Sequence, residues 1–132
     1  MLRIVFLMSL AAALVLAQPA PAPVKQISAD ELKTMLEKKD GVVFLDVREP
    51  KELQEDGTIE GYVHIPLGQL ERRLAELPKN KPIVTICRRG VRAGKAAEIL
   101  SKNGYKPVAA CGLTEWKEKK YALIYPKMEE KR

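Results

Sequence analysis

Cys87-Arg88-Arg89-Gly90-Val91-Arg92 puts a nucleophile, a glycine and three cations into six consecutive residues. Ile83-Val84-Thr85-Ile86 before it is apolar and rich in β-branched residues, which predicts a buried strand that stops at the cysteine. A helix is expected to begin just beyond Arg92. Loop N–H groups and the N-terminus of such a helix form a concave site that favours an anion. A cysteine placed there has its thiolate stabilised. Nearby cations and helix N-termini lower a thiol pKa from about 8.5 into roughly the 3.5–7.5 range. The chemistry on offer is nucleophilic attack by Cys87, with the amides of Arg88, Arg89, Gly90, Val91 and Arg92 as backbone cradle and Arg88, Arg89 and Arg92 as positive charge. The plainer reading is an inert buried cysteine with Arg88 and Arg89 reaching into solvent.

Asp46 and Arg48 close another apolar run, Val42-Val43-Phe44-Leu45, and so fall at another strand end. They could touch a substrate at the rim. The favoured reading is an ion pair that holds the surrounding loops, and Arg48 could also pair with Glu52, Glu55 or Glu60. No Cys/His cluster suggests a metal site, and no cofactor is implied.

These residues need a scaffold. Val24 to Ile27 could be a short first strand. Ser28-Ala29-Asp30-Glu31 fits a capping box, and Leu32, Met35 and Leu36 give a helical stripe ending near Lys39, with Gly41 as its stop. Pro50 suits the first turn of a short helix running to about Glu55. Val63 to Ile65 is a short strand. Leu70, Leu74 and Leu77 have helical spacing ahead of Pro78. Ala93, Ala96, Ala97 and Leu100 give the helix after the loop a small-residue face, capped at Asn103-Gly104. Val108 to Cys111 reads as a fifth strand, and Leu113 to Lys120 as a last short helix with Trp116 on its apolar side. Alternating strands and helices predict an α/β domain: a small central parallel five-stranded sheet with helices on both faces. Ligands in such sheets bind beyond the carboxyl ends of strands, where Cys87 stands.

The chain has 132 residues and a net charge of +6. Arg3 followed by the apolar run Ile4 to Ala17 predicts a signal peptide over residues 1–17, cleaved after Val15-Leu16-Ala17. At 14 residues this run is short for a membrane span of about 20. Removing it takes away one charge, Arg3, and leaves +5. Residues 18–23 read as a Pro-rich tether, 24–125 as one domain, and 126–132 as a charged tail. Charges of both signs from Lys117 onward suggest a solvated end. Basic and acidic residues are interleaved outside the Cys87 loop and aromatic residues are few, which argues against a nucleic-acid partner. The cleaved protein is expected in the bacterial periplasm, as a monomer without stable membrane insertion.

Four stretches in order resemble the rhodanese family. The Cys87 to Arg92 loop resembles its six-residue active-site loop. Asp46-Val47-Arg48-Glu49-Pro50 is similar to its strand-end signature. Residues 57 to 66 resemble its next loop, and Gly104-Tyr105-Lys106-Pro107-Val108 with Gly112 and Trp116 resemble its closing strand and helix. The resemblance implies a sulfurtransferase. Cys87 would take a sulfane sulfur from a small anionic donor such as thiosulfate or a polysulfide, and pass it from a persulfide to a thiophilic acceptor, cyanide or a thiol. Related phosphatases and arsenate reductases use a loop one residue longer, so a loop with four residues between Cys87 and Arg92 favours a sulfur atom over a tetrahedral oxyanion. His64 stands where the family usually has asparagine, and Thr58 where it often has histidine; His64 is read as structural. Cys111 replaces part of a glycine-rich turn. The related topology would set its strand beside that of Cys87, which makes Cys111 a candidate resolving thiol or partner in a redox bridge. Two alternatives therefore stand beside sulfur transfer: a Cys87/Cys111 redox or arsenate-type reductase, and a non-catalytic module that carries persulfide or binds a partner.

Overall fold

The computed structural model describes residues 11–14 and 23–127. The expected leader (largely), the tether up to residue 22, and residues 128–132 of the tail lie outside the described residues. Four parallel strands form the sheet: β1 (Val43–Asp46), β2 (Val63–His64), β3 (Pro82–Cys87) and β4 (Lys106–Gly112), in the order β2-β1-β3-β4. Helix α1 (Ala29–Lys38) precedes them, and α2 (Pro50–Asp56), α3 (Val91–Lys102) and α4 (Thr114–Glu118) connect or follow them. The strand carrying Cys87 is central, flanked by β1 and β4.

The sheet has four strands rather than the expected five. Val24 to Ile27 contributes only a single parallel bridge, Gln26 opposite Ala110. Its bonds run from the Ile27 N–H to the Ala110 carbonyl at 2.9 Å and from the Ala110 N–H to the Lys25 carbonyl at 2.9 Å. The ladder stops because Ser28 already caps α1. Its hydroxyl accepts the Glu31 N–H and the Glu31 carboxylate accepts the Ser28 N–H, both at 3.1 Å. The helical spacing of Leu70, Leu74 and Leu77 is realised as two 3₁₀ segments, Leu67–Gln69 and Glu71–Glu76, instead of an α-helix. The segment between Pro66 and Pro78 is short, and its backbone closes i to i+3 bonds such as Arg73 N–H to Leu70 carbonyl at 3.1 Å. In the described part of the end after Lys117, Thr58 and Ile124 exchange two backbone bonds of 2.8 Å and the Trp116 indole donates to the Ala122 carbonyl at 3.0 Å, while most side chains from Lys117 to Lys127 are exposed.

Two cores lie on the two faces of the sheet. Leu45, Ile83, Cys87 and Ala110 pack with Ala93, Ala96 and Leu100 of α3 and with Leu70 and Leu77. Phe44, Val84, Ile86, Ala109 and Cys111 pack with Leu32 of α1 and Trp116 of α4. Alternation along β3 is what a strand covered on both sides requires. The alanines of α3 are fully buried, so that helix lies close on the sheet and its N-terminus is held at the end of β3.

Candidate active site

The last residue of β3 is Cys87, and after three intervening residues α3 begins at Val91. Between them the chain must reverse tightly. Gly90 does so at φ +93°, a left-handed conformation that side chains with a Cβ rarely adopt, and an added Cβ there would also collide with the Gln26 side chain. The Gly90 N–H thereby points at Cys87 and donates to its Sγ at 2.9 Å. The N–H groups at the start of α3 have no helical carbonyl to bond, and no side chain caps this helix. Their partial positive charge faces the same space.

The loop is pinned from three sides. Gln26 Nε2 donates to the Gly90 carbonyl at 3.1 Å. The Leu113 N–H donates to the Cys87 carbonyl at 2.9 Å. Thr114 donates to the Arg88 carbonyl twice, through its N–H at 3.1 Å and its hydroxyl at 2.9 Å. Gly112 is required for this contact. A Cβ on it would lie 2.7–2.8 Å from backbone atoms of Arg88 and Arg89, which cannot move aside.

A cavity of about 330 Å³ opens beside the loop, lined by Glu52, Cys87, Arg88, Arg89, Val91 and Arg92. Cys87 is 1% exposed, so its sulfur is presented only at the bottom of this space. Arg88 and Arg89 are exposed, and among the described residues neither makes an ion pair. Arg92 is held differently. Its two terminal nitrogens donate to the two oxygens of Glu52, each at 2.7 Å. The Arg92 guanidinium lowers the Glu52 carboxyl to about 2, and Glu52 in turn raises Arg92. Glu52 was named in the sequence only as a partner for Arg48. The Pro50 helix start and the capping geometry, in which the Glu49 N–H donates to Glu52 at 2.8 Å, place it toward α3 instead.

Asp46 and Arg48 form an ion pair below the rim, 0% and 2% exposed. Arg48 Nη2 donates to Asp46 Oδ2 at 2.7 Å and to the Gly57 carbonyl at 2.9 Å. The Thr58 hydroxyl donates to Asp46 Oδ2 at 2.8 Å, so the threonine at this position completes the buried network. His64 Nε2 donates to the Arg48 carbonyl at 2.6 Å, which fixes the ring as a support for the same loop. Arg48 thus pairs with none of Glu52, Glu55 and Glu60.

Cys111 is not brought to the site. It stands opposite Ile86 in the ladder, whereas Cys87 stands opposite Gly112. Residues opposite each other share a face and successive residues alternate. Cys87 therefore faces α3 and Cys111 faces α1 and α4. Strand adjacency was expected to put the two within disulfide range; the one-residue offset turns the side chains to opposite faces and removes the proposed resolving role. Burial pushes the Cys111 thiol up to about 12. Among the described residues, no group of three or more His, Cys, Asp or Glu side chains is arranged to hold a metal ion.

Comparison with known proteins agrees with this architecture. The family model for the rhodanese-like domain matches residues 28–119. The chain is 38% identical over 95 residues to YrkF of Bacillus subtilis (strain 168), covering 70% of this chain and 51% of that protein, so it spans about half the length of this relative. It is 30% identical over 95 residues to the thiosulfate sulfurtransferase GlpE of Coxiella burnetii, covering 70% of this chain and 87% of that one. The crystal structure of a rhodanese-related protein from Thermoplasma volcanium superposes with a TM-score of 0.69 at 31% identity, covering 77% of this chain and 99% of that one.

Proposed function

This chain belongs to the family of rhodanese-like domain proteins, and from that premise we propose that it is a sulfurtransferase with Cys87 as its nucleophile. The donor is thiosulfate or a polysulfide, and the acceptor is cyanide or a thiol. In the first half-reaction the Cys87 thiolate attacks the outer, sulfane sulfur of the donor. A new S–S bond forms on Cys87, the donor's own bond to that sulfur breaks, and sulfite or the shortened polysulfide leaves. In the second, the acceptor attacks the outer sulfur of the persulfide and the Cys87 thiolate is restored. No net oxidation or reduction of the protein is needed.

The observation that carries this reading is the Gly90 N–H placed 2.9 Å from Cys87 Sγ at the bottom of an arginine-rimmed cavity. A donor N–H there stabilises the thiolate before attack. The loop amides near it supply hydrogen bonds for the terminal sulfur of the persulfide. The sulfurtransferase identity of the Coxiella relative supports the same chemistry. Steady-state thiocyanate release from thiosulfate and cyanide tests it. Parallel double-reciprocal lines are expected for the two-step mechanism, and Cys87→Ser should abolish release. A Cys87→Ser protein that keeps its turnover would overturn the assignment.

Residues 1–17 support a further part of the proposal, export to the bacterial periplasm and cleavage after Ala17, leaving a monomer that meets small sulfur compounds there. N-terminal sequencing of the protein recovered from the periplasmic fraction tests it; an uncleaved cytoplasmic product would contradict it.

A further inference from the structure

The carboxylate of Glu52 stands in the wall of the cavity that holds Cys87. Both of its oxygens are bonded to Arg92, so the charge of the loop's last arginine is neutralised inside the protein. The Glu52 side chain is still 27% exposed. An anion entering the cavity therefore meets a neutral Glu52–Arg92 pair in place of a free Arg92 cation. The loop's other two arginines, Arg88 and Arg89, make no ion pair among the described residues and are both exposed. The site attracts anions at its mouth, then offers them the Cys87 sulfur beside an arginine masked by its carboxylate.

We propose that Glu52 is a specificity-determining residue that turns Cys87 toward sulfane-sulfur donors of low charge, organic persulfides above all, and against dianionic thiosulfate. The inference rests on the sulfur-transfer reading and names the donor class for that site. With an organic persulfide, RS–SH, the Cys87 thiolate bonds the outer sulfur and the RS–S bond breaks. RS⁻ departs with the electron pair and takes a proton from solvent, leaving Cys87–S–SH. Charge is conserved, and at most one negative charge enters the cavity. With thiosulfate two charges must enter and two must leave as sulfite. One unit charge acting on another about 6 Å away, at an effective dielectric constant of about 40, changes relative rates by about tenfold. Specificity of this kind comes from an unfavourable contact with the wrong substrate.

The test is single-turnover loading of the purified, reduced protein, followed by intact mass. The donors are thiosulfate and 2-hydroxyethyl persulfide, whose organic part is uncharged. Glu52→Gln should raise the thiosulfate-to-persulfide rate ratio about tenfold. Glu52→Asp keeps the charge and should leave the ratio at the wild-type value even if both rates fall. Melting curves identify any variant that is not folded. Equal slowing with both donors in Glu52→Gln, at an unchanged ratio, would show that Glu52 only holds the loop and would overturn the inference while leaving sulfur transfer intact. A wild-type protein that takes sulfur from neither donor would overturn the sulfur-transfer reading and this inference with it.

Discussion

Cys87 and Cys111 sit on adjacent parallel strands, one register step apart, and face opposite sides of the sheet. Cys87 receives the Gly90 N–H and opens to a cavity; Cys111 is 1% exposed among Leu32, Ile86 and Trp116. The two thiols have separate fates. Thiolate is the reactive form, and burial holds Cys111 at about 12. Iodoacetamide at neutral pH should label the native protein at Cys87 and leave Cys111 unmodified until denaturant is added. Cys111→Ala should retain sulfur-transfer activity within about twofold, since it changes only a small buried side chain. Loss of activity in Cys111→Ala with an unchanged melting curve would argue for a role in turnover.

The loop depends on two glycines for different reasons. Gly90 needs its positive φ, and Gly112 needs the absence of a Cβ against the Arg88 and Arg89 backbone. Gly112→Ala should cost about 1–3 kcal/mol through overpacking and displace the loop. The expected result is a lower melting temperature together with slower Cys87 alkylation. Unchanged values of both would mean that the β4–loop contact does not set the loop.

Asp46 supports the site from beneath. Removing it leaves the Arg48 guanidinium buried without its carboxylate. Breaking a buried pair in this way costs about 3–5 kcal/mol. Asp46→Ala should therefore lower the denaturant midpoint strongly, with an unchanged denaturant slope. A loss of activity without loss of stability would instead place Asp46 in contact with substrate.

Stability against acid should report on Glu52. Its ordinary value of 4.5 falls to about 2 in the folded protein, chiefly through the hydrogen bonds from Arg92. A depressed carboxylate binds protons more readily in the unfolded chain. Its stabilising contribution is fully present above about 4.5 and is lost as the pH falls toward 2. Glu52→Gln should flatten the fall in stability across that window, measured by urea unfolding at several pH values. An unaltered acid limb would mean that the pair does not stabilise the fold.

Much of this site was legible in the sequence because its signals are local. The apolar run ending at Cys87, the glycine three residues on and the alanine spacing beyond it encode strand, loop and helix within twenty residues. The capping box at Ser28 is equally local and stands in the structure. What escaped is long-range. Glu52 and Arg92 are separated by 40 residues, and only the packing of α2 beside the start of α3 joins them. Gln26 reaches Gly90 across 64 residues through a bridge too short to show as a strand pattern. The fates of Cys87 and Cys111 turned on register parity. A shift of one residue moves a side chain to the other face, and hydrophobic pattern alone cannot fix it when both faces are buried. The 3₁₀ form of the segment around Leu70 and Leu74 was hidden because leucines three and four apart suit either helix.

The most direct test of the central claim is intact-mass analysis of the reduced protein after incubation with thiosulfate or, separately, a polysulfide, then again after cyanide. The account predicts a gain of one sulfur atom's mass, mapped to Cys87, which cyanide removes with release of an equal amount of thiocyanate. A fully reduced protein that gains no sulfur from either donor, or gains it at Cys111, would contradict it.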